Sequence, residues 1–215
     1  MSVTGQIKNY KVLQKRIEDM KKAPRNVLKA LTSDEKKRAP GWVAAEVSKV
    51  YGVKKGEITG KKIGSVKVQG SSFDEVKILY TGRRLTHTHF GMSPKSPKPD
   101  RGSYTLKATI VKGERSTLGK IKKLTKKQRA NMAKNFTRSG SNKSDHSPIM
   151  LMRANGGQYL PFQRTSKNRN KIEIRKTLSL PQMVSSKRTE KGIQTALTEN
   201  LGKRFEHHMN RHMGK

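Results

Sequence analysis

The chain has 215 residues, with 49 Lys+Arg against 15 Asp+Glu and a formal net charge of +34. Only 31% of residues are hydrophobic and 5% aromatic, which limits the core and, with so much self-repulsion, points to negatively charged neighbours. There is no cysteine, which excludes a disulfide framework, a thiolate nucleophile and a Cys-ligated metal.

The apolar runs Trp42 to Ala45 and Ile149 to Met152 are four residues long, far short of the roughly 20 that span a bilayer. Met1 to Tyr10 has no apolar stretch of signal-peptide type. The expectation is a soluble intracellular chain with no membrane partner. Net charge is +8 over residues 1–60, +9 over 61–120, +13 over 121–180 and +4 over 181–215. It is therefore spread along the chain, with an internal maximum, and does not collect in a terminal tail.

In chain order, Ile7, Tyr10, Leu13, Ile17 and Met20 recur at helical spacing and predict an amphipathic helix over 6–22. Pro24 suits the first turn of a second helix, with Val27, Leu28 and Leu31 on its apolar side. Pro40-Gly41 predicts a break or kink. The helical pattern then continues through Trp42, Ala45, Val50 and Tyr51 to a stop at Gly52, with Trp42 expected as a core anchor.

From residue 63 the period changes to two. Val66 and Val68, then Val76, Ile78 and Tyr80, predict an antiparallel pair about the turn at 70–72. A third strand is expected over 104–112, after a long Pro/Ser/Gly loop at 92–103. Residues 120–135 allow a helix and 139–147 read as turn. Ile149 to Arg153 and Gln158 to Phe162 flank Asn155-Gly156-Gly157 as a hairpin, and a further strand is expected over 172–176. Ile193, Leu197, Leu201, Phe205, Met209 and Met213 repeat every four residues, a stripe on a C-terminal helix of about 25 residues starting near Ser185. The fold class is thus α+β: N-terminal helices on a mostly antiparallel sheet, a long loop and a long C-terminal helix. The expected division is a domain over 1–185 and a docking helix over 186–215, with Ile193, Leu197, Leu201 and Phe205 contacting another subunit. Removing 186–215 is then expected to leave a foldable domain.

Catalytic patterns are missing from the sequence. There is no G-x-S-x-G elbow, H-E-x-x-H or P-loop. Residues 121–180 hold only Asp145 and Glu173, too few carboxylates for a metal-dependent nuclease. Glu18, Asp19 and Glu35 sit beside Lys or Arg and read as surface pairs. His87 with His89, and His208 with His212, are weak metal candidates that read better as solvated or interface histidines. No enzyme activity, cofactor or metal is expected. Lys122, Lys123, Lys126, Lys127, Arg129, Lys134 and Arg138 form a basic run able to contact DNA phosphates or an acidic partner. No zinc finger, RNP motif or GXXG loop accompanies it, so reading of bases is not expected.

A resemblance emerges from the order of short segments. Val50-Tyr51-Gly52-Val53-Lys54-Lys55 is followed by Thr81-Gly82-Arg83-Arg84-Leu85, Phe90-Gly91 and Val111-Lys112-Gly113. Met150-Leu151-Met152-Arg153, Tyr159-Leu160-Pro161-Phe162 and Ser179-Leu180-Pro181-Gln182-Met183-Val184 then follow. Over roughly residues 20–185 this order resembles the prophage minor tail protein Z family, the tail-completion proteins of tailed bacteriophages. His87-Thr88-His89 and the long basic stretch 120–147 depart from the family pattern.

The resemblance implies a non-catalytic virion protein of the neck or head-proximal tail, assembled in the host bacterial cytoplasm. It would act as a homo-oligomer or as ring-bound subunits against connector and tail-terminator type rings, with non-specific contact to phage DNA. It also implies positioning roles for Gly82, Arg83, Phe90, Gly91, Arg153 and Pro161. The competing expectation is a non-specific nucleic-acid-binding protein of ribosomal or nucleoid type.

Overall fold

The computed structural model describes residues 3–5, 25–72, 76–98, 103–122, 149–164 and 172–212. The helix expected over 6–22 lies outside them. The chain is α+β and divides into two compact units, one formed by Met1–Leu85 with Leu178–Lys215 and the other by Thr86–Thr177. The C-terminal helix thus belongs with the N-terminal half, so the chain does not divide at 185/186. Among the described residues the strands form four small sheets, where the strand pattern predicts a single central one.

In the first unit, β1 (Val3–Gly5), β2 (Ser65–Gln69) and β3 (Lys77–Gly82) form an antiparallel sheet in the order β1-β3-β2. Val66 lies opposite Tyr80 and Val68 opposite Ile78, the pairing that the period-two pattern predicts. Helix α1 (Arg25–Val50) is continuous through Pro40. The expected interruption is absent because Ala39, Val43 and Ala44, on both sides of the proline, are at most 1% exposed and hold the two halves in one core. Its inward stripe is Val27, Leu31, Glu35, Ala39, Val43 and Val47, every fourth residue. Trp42 precedes a stripe position by one residue, a rotation of about 100°. It is therefore half-buried at the edge and does not anchor the core.

Short helix α2 (Lys55–Thr59) follows, and Ile58 and Ile63 enter the core. Helix α3 (Leu180–Val184) starts at a capping box, in which the Ser179 backbone N–H donates to Gln182 Oε1 at 2.9 Å and Ser179 Oγ accepts from the Gln182 N–H at 3.5 Å. Its Leu180 lies over Gly64, where a Cβ would come within 2.6 Å of the Thr81 carbonyl oxygen.

Helix α4 (Lys187–His212) packs along α1. Asp34 meets Arg204 and His208, while Glu46 lies beside Gly192, so the two helices run antiparallel. Ile193, Leu197 and Leu201 are at most 4% exposed. Their stripe is consumed inside the chain and leaves no surface for the subunit docking expected of them. Phe205 is half-buried.

The second unit contains a 3-10 turn (His87–Phe90), the hairpin β5 (Ser103–Val111) and β6 (Glu114–Lys122), and the antiparallel sheet of β7 (Met150–Arg153), β8 (Tyr159–Arg164) and β9 (Ile172–Ile174) in that order. Strands β4 (Arg84–Thr86) and β10 (Lys176–Ser179) pair with each other in a two-stranded sheet. The hairpin expected at 155–157 closes with the Ala154 N–H donating to the Gln158 carbonyl at 2.8 Å, and Gly157 takes a φ of +77°. Strand β6 corrects the helix expected from residue 120: Lys120 to Lys122 end a strand, and residues 123–148 lie outside the described ones. Among the described residues, no helix is long and apolar enough to cross a membrane.

Candidate anionic-partner interface

The unit Thr86–Thr177 carries 22 Lys+Arg against 4 Asp+Glu, a net charge of +18 in 92 residues, whereas the other 123 residues carry +16. Its β5–β6 hairpin sorts side chains sharply by face. One side buries Leu106 against Met92 and Ile149, with Leu118 and Leu151 packed around them. The other side pairs Thr105 with Lys120 and Lys107 with Thr117, and Ser103 with Lys122 at the open end. Ser103, Thr105, Lys107, Thr117 and Lys120 are all exposed, as are Lys112 and Arg115 around the turn. Period-two alternation therefore builds a face of ammonium groups and hydroxyls, and the one carboxylate of the hairpin, exposed Glu114, stands at the turn opposite Val111.

Two devices hold that face. The pairing skips Leu118, because Leu106 faces Gly119 while Lys107 faces Thr117. This bulge frees the Leu118 carbonyl, which accepts from Arg175 Nη1 at 3.2 Å. Arg175 is a hub: its N–H donates to the Pro161 carbonyl at 2.8 Å, and its own carbonyl accepts from His87 Nδ1 at 3.1 Å. Since a carbonyl can only accept, Nδ1 carries the imidazole proton. Burial holds the His87 pKa below the usual value; the Arg175 charge acts the same way, and the bond to its carbonyl acts against them. Separately, Ser93 exchanges two backbone hydrogen bonds with Lys107, at 2.8 and 2.9 Å, pinning the segment that carries exposed Lys95 and Lys98 along β5.

The residues singled out by the resemblance divide between the units. Gly82 has the Ile63 carbonyl oxygen 3.1 Å from where a Cβ would stand. Phe90 is fully buried, and Gly91 ends the 3-10 turn in the left-handed region at φ +62°. Pro161 is buried in β8, and Arg83 and Arg153 are exposed. Gly82, Phe90, Gly91 and Pro161 thus sit at joints of the fold, leaving the two arginines as surface groups. Of the basic run, Lys122 ends β6, while Lys123, Lys126, Lys127, Arg129, Lys134 and Arg138 lie outside the described residues.

The members of each histidine pair differ in surroundings, although the His208 and His212 rings stay neighbours with centroids 6.5 Å apart. His87 is buried on the 3-10 turn, not on an extended segment beside His89. His208 is 6% exposed and donates from Nε2 to Asp34 Oδ2 at 2.8 Å, while its Nδ1 is buried without a partner. Among the described residues, no group of three or more His, Asp or Glu is placed to hold a metal ion.

In the first unit, Asp34 joins α1 to α4 by accepting from Arg38 Nε at 3.1 Å, Arg204 Nε at 2.5 Å and His208 Nε2 at 2.8 Å. Burial raises its pKa, but the bonds from His208, Arg204 and Arg38 outweigh that and hold it at about 2. Its neighbour Glu35 is not the surface-paired carboxylate expected from the sequence. It occupies the inward stripe of α1, its Oε2 is buried without a partner, and burial pushes its pKa up to about 8, partly opposed by Lys36.

A folded-state pKa above the ordinary 4.5 means the folded chain binds more protons, so stability falls as pH rises from about 4.5 to about 8 and then levels off. Glu35→Gln is therefore expected to leave stability nearly unchanged near pH 4.5. Above pH 8 it should raise stability by roughly 1–3 kcal/mol, as read from urea midpoints. A gain that does not grow with pH would contradict this.

No family model, no curated protein and no solved structure matches the chain.

Proposed function

We propose that the chain is a non-catalytic structural protein of a tailed-bacteriophage virion, acting in tail completion at the neck or head-proximal tail end, where head joins tail. The observation that carries this is where the segments behind the family resemblance fall. Tyr51-Gly52-Val53 closes α1, Gly82 passes close beneath Leu180, Phe90-Gly91 fills and ends the 3-10 turn, and Ser179 to Val184 is a capped helix. Residues at such joints carry the fold, so a shared order of them is what a shared architecture would leave in the sequence.

The excess of outward cations suits acidic partners, such as connector and tail-terminator type rings and the DNA between them. Binding to such neighbours would offset the self-repulsion of a +34 chain. Repeated copies around the tail axis, as a homo-oligomer or as subunits bound to a ring, fit the same need.

Complementation tests the proposal. Deleting this gene from the phage genome that carries it should leave DNA-filled heads and separate tails in lysates. Adding the purified full chain should restore plaque-forming particles. Normal head–tail joining without the protein would overturn the proposal. A ribosomal or nucleoid-type role draws support from the lysine and hydroxyl face of β5–β6; it requires the chain to co-sediment with ribosomes or nucleoid and to be missing from virions.

A further inference from the structure

We infer that the solvent face of the β5–β6 hairpin is a binding surface for the sugar–phosphate backbone of duplex DNA, used without reading sequence. The inference stands on the hairpin alone and does not depend on the virion proposal. Lys107 and Lys120 project from this face with Lys112 and Arg115 around its turn, and all four are exposed. None of the four has a carboxylate partner among the described residues. Their charge is therefore available to a ligand.

Between them stand the exposed hydroxyl residues Ser103, Thr105 and Thr117, donors of the kind that join Lys and Arg on phosphate oxygens. Side chains on one strand face recur every ~7 Å and neighbouring strands lie about 4.8 Å apart, so this is a two-dimensional array of donors and not a single point charge. Arg175 fixes the bulge behind the face, and the bonds from Ser93 fix its β5 edge.

The composition of the face distinguishes among polyanions. A stable protein partner would require an apolar or aromatic centre in the contact, and lysine is depleted from such centres. Here the apolar side chains of the hairpin point the other way, into the cluster of Met92, Leu106 and Ile149. Single-stranded nucleic acid would need aromatic platforms for its bases. The only aromatic on either strand, Tyr104, alternates to the buried side opposite Ile121. A backbone of regularly spaced phosphates, with its bases stacked internally, needs only the charges and hydroxyls that are present.

The test uses the full chain and 30-base-pair duplexes of two unrelated sequences. The parent should bind both alike, with affinity falling steeply and linearly on a log–log plot against salt. The variant Lys107→Gln/Lys112→Gln/Arg115→Gln/Lys120→Gln should bind at least about tenfold more weakly near 0.1 M salt, with a slope shallower by roughly 3. A charge-matched control, Lys37→Gln/Lys54→Gln/Lys55→Gln/Lys62→Gln, removes four exposed cations from the other unit and should stay within about twofold of the parent. Thermal melts of both variants establish that they remain folded. Equal losses in the two variants, or parental binding by the hairpin variant, would overturn the inference. So would competition by polyglutamate as effective as by duplex at equal charge, which would mark an acidic protein as an equally good ligand.

Discussion

Ending the chain at Ser186 is expected to abolish cooperative unfolding of the unit that contains α1. Helix α4 contributes Ile193, Leu197 and Leu201, all at most 4% exposed. At about 1.5–3 kcal/mol for each buried aliphatic side chain, their loss alone amounts to roughly 5–9 kcal/mol. The face of α1 against which they pack would be exposed as well. Because a folded domain is stable by only about 5–15 kcal/mol, the remaining chain should not hold α1 in place. Far-UV circular dichroism during urea titration, with limited proteolysis, checks this: the expected result is a shallow transition and rapid cleavage within residues 25–72. A sharp transition with parental protection of α1 would contradict it, and would restore the view of α4 as a detachable docking element.

Asp34→Ala should cost about 2–4 kcal/mol, because it removes the acceptor shared by three donors and strands two of them at the α1–α4 seam. His208, with its Nδ1 already unpartnered, would lose its Nε2 bond as well. The Arg204 side chain, 25% exposed, would keep its charge without a carboxylate. The effect has a pH signature. The Asp34 pKa of about 2 lies below its ordinary 3.8, so its contribution is fully present above 3.8 and is lost as pH falls towards 2. The gap between parent and variant in urea midpoint should therefore be wide at pH 6 and nearly closed at pH 2. A gap of constant width would mean that the carboxylate's charge is not what stabilises the seam.

These interactions mark the limit of what could be read from the sequence. The four-residue spacing of Ile193, Leu197 and Leu201 specifies a long helix with one apolar side, but spacing carries no information about what covers that side. Asp34 and His208 are 174 residues apart, and only the fold brings them together. Glu35, between Asp34 and Lys36, reads as a solvated carboxylate, yet it holds the same phase as Val27, Leu31, Ala39, Val43 and Val47, and phase decides its burial.

The hairpin at 155–157 and the pairing of β2 with β3 were legible because local turn residues and strict alternation specify them. Strand β6 was not, since the bulge at Leu118 breaks its alternation, and Ile121 with Leu124 at three-residue spacing reads as the start of a helix over 120–135. The size of Trp42 predicts a core position, but its phase sets it one residue off the inward stripe of α1. Of the surface suited to an anionic partner, charge density in the sequence marks Lys122. Lys107, Lys112, Arg115 and Lys120 are dispersed in the sequence, and the pairing of β5 with β6 brings them together.

The position of the chain in an intact virion decides the proposed role most directly. A reconstruction of the head–tail junction, with mass spectrometry of the same purified particles, should find the chain present. It should also show, in repeated copies, a pair of antiparallel 26-residue helices, each about 39 Å long, at the head-proximal end of the tail. Complete, infectious particles that contain neither the chain nor that helix pair would contradict it.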